Sequence, residues 1–357
     1  MNCAECESFS QLFFPESDLY FWFPIHHSLA KFSSFAPTRV AENHPDGAPV
    51  RVGTTTAEIG KFLTSLAGVF TSQELETIKV LCVPSKQTPV LDDFGRVVTL
   101  ERLISAYQGQ WLQQMLMERR YTSAFQPIFD LSSDRIFAHE SLFRGHSETN
   151  EPFAPAFVFD LAARAGMLFQ LDLAARRSAV EQAVAAGITN TRIFINFNPT
   201  SIYDPAYCLR TTVGTVTALG MRPDQIVFEV VESSEIKSTA HLNGILAFYR
   251  RAGFKIALDD VGSGYSGLNL LQDIRPDFLK VDMHLIRGVD ADPFRQSIVR
   301  NIVSIARETG IKVIAESVET DAELGWVKQA GIDFVQGYLL ARPRSVEECQ
   351  RAARPAA

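Results

Sequence analysis

Lys255-Ile256-Ala257-Leu258-Asp259-Asp260-Val261-Gly262-Ser263-Gly264-Tyr265 is an apolar run that closes in two adjacent aspartates and a glycine-bracketed loop. Neighbouring carboxylates repel one another, and each resists leaving water. At the end of an apolar strand they are tolerated when a positive charge sits between them, most often a metal ion. Gly262 and Gly264 leave the loop the backbone freedom that a tight turn needs. An apolar run closed by an acid or an amide recurs through the last two-thirds of the chain.

Outward from this stretch, short strand-like runs alternate with longer amphipathic ones from Ser123 onward. Phe125–Leu131, Ile136–Phe143, Arg192–Phe197, Gln225–Val231, Lys255–Asp260, Phe278–Val281, Lys312–Ala315 and Phe334–Gln336 read as strands. Pro155–Ala165, Leu171–Ala186, Arg210–Leu219, Ile236–Arg251, Asp292–Glu308 and Asp321–Ala330 read as helices between them. Eight strands with interleaved helices over roughly 230 residues predict an α/β fold, a (β/α)8 TIM-type barrel. The first two runs lie too close together for a crossover helix and should pair as an antiparallel hairpin, which makes the barrel a modified one.

Residues 1–97 form a separate compositional unit, expected to be a small N-terminal α/β or α+β domain. Leu19–Ile25 reads as a buried strand, Thr56–Phe70 as an amphipathic helix, and Thr71 with Glu74 as a capping box opening another helix. Pro37–Gly53, rich in Pro, Asn, Asp and Gly, reads as a loop. Thr99–Arg120 reads as one long helix whose apolar stripe either packs on a neighbouring domain or joins a sensor to an effector. The expected domains are therefore 1–97, a connecting helix at 98–121, and the barrel at 122–357.

A net charge of −7 argues against broad electrostatic binding to polymeric nucleic acid or to acidic membranes. It leaves room for a small anionic ligand, because bound cations invert the field inside a site. No apolar run approaches the roughly 20 residues of a membrane span. The first residues lack the basic-then-apolar order of a secretory signal, and five cysteines in a chain of this size do not form a disulfide framework. A reducing, cytoplasmic setting is expected. Cys3 and Cys6 have the spacing of half a zinc site, with no second pair to complete it.

In barrels of this kind reactive groups gather at the C-terminal ends of the strands. Strand by strand, Glu140 falls inside the second run and Glu229 in the fourth, with Glu232 three residues on, while Asn196, Asp259 with Asp260, Lys280 with Asp282, Glu316 and Gln336 close the third, fifth, sixth, seventh and eighth. The oxygen-rich donor set suits Mg2+ or Mn2+ rather than a metal that seeks thiolate or imidazole. Asp259, flanked by Asp260, is placed to bridge two ions, a common device for in-line hydrolysis of phosphodiesters. His139 precedes Glu140 and should face the opposite side of its strand.

From about Ser123 to Pro343 the chain resembles the EAL domain, a family of cyclic di-GMP phosphodiesterases. The motifs are Phe125-Gln126-Pro127-Ile128, Glu140-Ser141-Leu142-Phe143-Arg144, Ile195-Asn196-Phe197-Asn198, Phe228-Glu229-Val230-Val231-Glu232, Asp259 through Ser266, Leu279-Lys280-Val281-Asp282, Ala315-Glu316-Ser317-Val318-Glu319 and Gln336-Gly337-Tyr338. The resemblance implies that Glu140, Asn196, Glu229 and Asp259 hold one Mg2+ or Mn2+ ion. Asp259 bridges to a second, completed by Asp260 and by Glu316 directly or through water. It implies that Lys280 touches the attacking water, that Glu316 is a ligand or the general base, and that Gln336 supports the water network. Arg144 is implied as a phosphate clamp, and Gln126, Leu142 and Asp282 as substrate contacts. Glu232 is implied as the anchor of the loop after Asp260, through which a homodimer would be coupled to the metals.

The reaction so implied opens one phosphodiester bond of cyclic di-GMP to give linear pGpG. Val261, Ser263 and Gly267 stand where the family usually has Phe, Thr and Ser, and Ser317 where Gly is common. None of these removes a metal-binding group. The competing expectation is a silent domain that binds cyclic di-GMP as a receptor, which should lack some of these donors.

Overall fold

The computed structural model describes residues 12–37, 47–199, 202, 210–231, 239–263 and 267–353. The chain divides into two compact units, one of which comprises Arg120–Phe153 and Phe169–Ala357, the other Glu7–Arg119 and Ala154–Leu168.

The N-terminal unit contains β1 (Glu16–Trp22), α1 (His26–Phe35), β2 (Val50–Thr55), α2 (Thr56–Ala67), α3 (Ser72–Thr77), β3 (Lys79–Pro84), β4 (Val98–Thr99), α4 (Leu100–Gln108) and α5 (Gln110–Met117). Its antiparallel sheet runs β2-β1-β3-β4. The core joins Leu19 and Phe21 of the sheet to Phe32, Ile59, Leu63, Leu66, Leu100 and Leu103 of the helices. The expected capping box forms: Thr71 Oγ1 accepts from Glu74 N–H at 3.3 Å, and Glu74 Oε2 accepts from Thr71 N–H at 2.9 Å.

Three local expectations are corrected. Val50–Thr55, mostly assigned to a loop, is a strand with Leu19 opposite Val52, its alternate residues buried against the core. The first strand ends at Trp22 rather than Ile25, because Pro24 lacks the N–H that a continuing ladder needs. The single helix over Thr99–Arg120 is two helices, broken at Gly109. Glycine there costs about 1 kcal/mol of helix propensity, and a Cβ at that position would lie 3.0 Å from Met167 Cε and from Ser105 O.

The second unit contains β5 (Tyr121–Asp130), β6 (Arg135–Gly145) and, after an excursion, α7 (Leu168–Ala185) and β7 (Arg192–Asn196). The excursion is α6 (Pro155–Ala165), which belongs to the N-terminal unit. It buries Val158, Leu161, Ala162 and Ala165, and its Phe157 stacks on Trp111 of α5 at 5.9 Å. The chain continues with α8 (Arg210–Ala218), β8 (Ile226–Val231), α9 (Thr239–Arg251), β9 (Lys255–Val261), α10 (Gly267–Ile274) and β10 (Phe278–Val281). Then come α11 (Met283–Ile286), α12 (Pro293–Thr309), β11 (Lys312–Ala315), α13 (Asp321–Gln329), β12 (Phe334–Val335) and α14 (Val346–Ala353).

The eight strands close into a barrel in the order β10-β11-β12-β5-β6-β7-β8-β9. β5 is antiparallel to both its neighbours, β6 and β12, and the remaining pairs are parallel. The expected modified (β/α)8 barrel is therefore observed, with its opening antiparallel hairpin. Each strand contributes one apolar residue to an inner layer: Ile128, Ala138, Phe194, Val227, Ala257, Phe278, Ile314 and Phe334. No helix among the described residues is long and apolar enough to cross a membrane.

Candidate active site

Side chains on a strand return to the same face every second residue. Two positions beyond the inner apolar layer, toward the C-terminal ends of β6 to β12, lie Glu140, Asn196, Glu229, Asp259, Lys280, Glu316 and Gln336. On the reversed strand β5 the same step runs backward, from Ile128 to Gln126. One polar layer thus sits on one apolar layer, and every strand supplies a member.

Lys280, 1% exposed, is the hub of that layer. Its Nζ lies 2.6 Å from Glu229 Oε1, 2.8 Å from Glu316 Oε1, 3.0 Å from Asp259 Oδ1 and 3.7 Å from Glu140 Oε2. Glu140 is oriented from its other sides, where Gln336 Nε2 donates to Oε2 at 2.7 Å and Asn196 Nδ2 donates to Oε1 at 3.3 Å. Glu229 is fully buried. Its Oε2 and the Oε1 of Gln336 are buried acceptors with no hydrogen-bond donor among the described residues.

The electrostatics follow from crowding in a dry space. Burial pushes the Glu316 carboxyl up to about 8, with Asp259 and Glu140 adding to the rise and Lys280 opposing it. Burial and the adjacent Asp259 push Asp260 up to about 6. Glu229 is raised well above the ordinary range, mainly by burial. Burial disfavours the Lys280 ammonium, but Asp259, Glu140, Glu229 and Glu316 outweigh it and hold the group charged far beyond neutral pH. Negative charge in this layer exceeds what one lysine balances.

Asp259, Asp260 and Glu316 each offer a carboxylate oxygen, and these oxygens lie within 4.8 Å of one another. Asp260 reaches this position through a left-handed backbone, with φ of 56°. Ser317, which follows Glu316, is also left-handed, with φ of 54°. An L side chain there costs roughly 1–2 kcal/mol. Gly337 has a tighter constraint, since a Cβ would stand 2.0 Å from the Val318 carbonyl oxygen. With only oxygen donors and unsatisfied buried acceptors, the layer fits hard divalent cations such as Mg2+ or Mn2+.

The remaining sequence candidates lie around this layer. Gln126 is buried and donates to Ala341 O at 3.2 Å. Leu142 and Arg144 are half-buried farther along β6, and Arg144 Nη1 donates to Phe143 O at 2.9 Å. Asp282 caps α11, accepting from His284 N–H at 2.8 Å. Glu232 and Gly264–Ser266 lie outside the described residues, as do Cys3 and Cys6. His139 faces away from the polar layer, with Nδ1 3.1 Å from Thr191 Oγ1, and burial lowers it to about 4.

Sequence reasoning passed over Asp172 and Arg176, a buried pair on α7 with Arg176 Nη2 2.9 Å from Asp172 Oδ2. Read linearly, an acid and a base four residues apart look like a surface pair. The available signal was their phase: both fall on the helix face that carries Ala179, Val180 and Ala183.

The comparisons with known proteins agree with this fold. The family model described as EAL domain matches residues 109–343. A curated relative in Escherichia coli (strain K12), the probable cyclic di-GMP phosphodiesterase PdeG, is 29% identical over 245 residues, covering 67% of this chain and 48% of that protein. The first four curated relatives are matched over 31% to 54% of their own length, so the chain spans a third to about half of each. Among solved structures, a standalone versatile EAL protein from Vibrio cholerae O395 in its c-di-GMP-bound form is 37% identical, with a TM-score of 0.58 over 63% of this chain and 93% of that one. The Klebsiella pneumoniae BlrP1 manganese/cy-diGMP complex is 23% identical with a TM-score of 0.58, covering 93% of this chain and 97% of that one, a likeness that carries the fold alone. With the barrel, its inner polar layer and a family match over most of the chain in agreement, this protein belongs to the EAL-domain family.

Proposed function

We propose that this chain hydrolyses one phosphodiester bond of cyclic di-GMP to give linear pGpG, using two divalent cations, Mg2+ or Mn2+. The observation that carries the reading is the complete polar layer, in which acids and amides surround one buried lysine and no donor is replaced by an apolar residue. Support also comes from the relatives: PdeG is named a probable cyclic di-GMP phosphodiesterase, and the Vibrio cholerae protein was solved with c-di-GMP bound.

In this proposal Glu140, Asn196, Glu229 and Asp259 hold one cation, and Asp259, Asp260 and Glu316 hold the second. Such ions, when bound, polarise phosphoryl oxygens and lower the pKa of a coordinated water. Lys280 contributes a permanent ammonium beside Glu316 and Asp259, which favours deprotonation of any acid delivered to that point. Glu316 serves in this reading as a cation ligand, its Oε1 2.8 Å from the Lys280 ammonium. Gln336 keeps Glu140 in its ligating orientation. Arg144 offers a planar fork to a phosphoryl oxygen, and Gln126, Leu142 and Asp282 line the substrate side. Val261, Ser263, Gly267 and Ser317 leave every donor in place.

The test is chromatography of cyclic di-GMP incubated with the purified chain and Mn2+. The expected product is pGpG, lost in Glu140→Ala and Asp259→Asn. Tight binding of cyclic di-GMP by calorimetry with no product would overturn the hydrolytic reading in favour of a receptor.

A further inference from the structure

We infer that Asp172, held in place in this fold beside Arg176, is a positioning residue for Asn196, setting the direction of its amide from beneath the strand end. The inference rests on the reading of Asn196 as a cation ligand. β7 stops at Asn196, and the next two backbone N–H groups are tied in different directions. Phe197 N–H donates to Glu229 O at 3.0 Å, which continues the sheet. Asn198 N–H donates to Asp172 Oδ1 at 3.1 Å, which turns the chain toward α7. Asn196 itself is solvent-exposed and contacts Glu140 at 3.3 Å, so packing does little to fix its side chain. Its orientation is inherited from the backbone that these two anchors hold.

The second anchor is itself braced. Asp172 is 2% exposed, and its other oxygen pairs with Arg176, which is fully buried. Arg176 Nη1 donates to Thr212 Oγ1 at 3.1 Å on α8 and to Tyr249 Oη at 3.2 Å on α9. Its guanidinium carbon lies 5.8 Å from the centre of the Phe197 ring. One cation thus links α7, α8, α9 and the residue directly after Asn196. A buried ion pair is often no more stable than well-packed apolar residues of the same volume. Stability alone therefore does not account for charges at these positions, and the hydrogen bond that Asp172 makes to the turn after a ligating strand does. Groups that orient metal ligands are worth about 10–100-fold in metal affinity.

The test uses the full chain and two charge-neutral double variants, because a single substitution strands a buried charge. Asp172→Asn with Arg176→Met keeps an acceptor for Asn198 N–H, whereas Asp172→Leu with Arg176→Met removes it. Mn2+ affinity is measured by calorimetry, and unfolding by circular dichroism. The Asn-containing variant should bind Mn2+ within about threefold of the parent, and the Leu-containing variant about tenfold more weakly at similar thermal stability. Equal Mn2+ affinity in the two doubles would overturn the inference. If the Leu-containing variant does not fold, Asp172→Glu decides: it keeps the ion pair but displaces the acceptor, and parental Mn2+ affinity in that variant would refute positioning. Asn196→Ala separates the two levels of the argument. Unchanged Mn2+ affinity there refutes the ligand reading of Asn196 itself, whereas weakened affinity there with equal doubles refutes only the role of Asp172.

Discussion

Cation binding at the polar layer should be strongly pH-dependent, and the size of the effect follows from two carboxyls. Glu316 stands at about 8 and Asp260 at about 6, both raised first by burial and then by neighbouring acids. An acid with a raised pKa carries its proton before a cation arrives and must release it on binding. Affinity therefore rises with pH until both groups ionise unaided. By simple titration Glu316 is ionised in about 1% of molecules at pH 6 and about 75% at pH 8.5, while Asp260 goes from about half to nearly all. The product is a gain of about 150-fold in apparent Mn2+ affinity, about 3 kcal/mol. Near pH 7 binding should release about one proton from this pair, with Glu229 adding to it. Calorimetry in buffers of different ionisation enthalpy counts those protons directly. Glu316→Gln should remove this pair's share of the pH dependence above pH 7 and leave that of Glu229. An affinity that changes less than threefold across this range, with no proton release, would refute the reasoning.

Three further outcomes are expected. Lys280→Met leaves Glu229, Glu316 and Asp259 without their counter-charge. In metal-free buffer it should cost about 3–5 kcal/mol at pH 8 and clearly less at pH 5, where Glu316 and Glu229 are protonated; equal denaturant midpoints for variant and parent at pH 8 would contradict this. His139, lowered to about 4 by burial, stays neutral in the fold while the unfolded chain protonates near 6.5, so stability should fall as pH drops through that window. The loss between pH 7 and 4.5 is about 2 kcal/mol from this residue, and His139→Gln should flatten that limb of the denaturation profile. A chain beginning at Arg120 keeps α6 but loses α4 and α5, which leaves Val158, Leu161 and Ala165 uncovered. It should bind a hydrophobic dye and elute as aggregates, and a monodisperse product with undiminished amide protection over 154–168 would count against that.

The barrel was legible because short apolar runs, most of them closed by an acid or an amide, alternate with amphipathic runs from Ser123 onward. Pro155–Ala165 and Phe278–Val281 match their observed bounds, since proline opens the helix and the strand is a short apolar run between turns. Other features were hidden for physical reasons. Val50–Thr55 is a strand of only six residues behind a Pro- and Gly-rich segment, and its pairing with β1 is a long-range fact. The membership of α6 in the N-terminal unit cannot be read from a helix lying between two barrel strands, because sequence order and packing order differ there. The donors of the polar layer were identifiable one strand at a time. That Lys280 sits at their centre was not, because strand-end position says nothing about which side chains meet across a closed barrel. Asp172 and Arg176 escaped notice because i,i+4 charge pairs are usually exposed.

The most direct measurement is an anomalous difference map from a crystal of the full chain grown with Mn2+ and cyclic di-GMP. Two peaks should appear with Asp259 between them, one also bound by Glu140, Asn196 and Glu229 and the other by Asp260 and Glu316. A map without a peak at Asp259, in crystals where cyclic di-GMP is bound, would contradict the two-cation site.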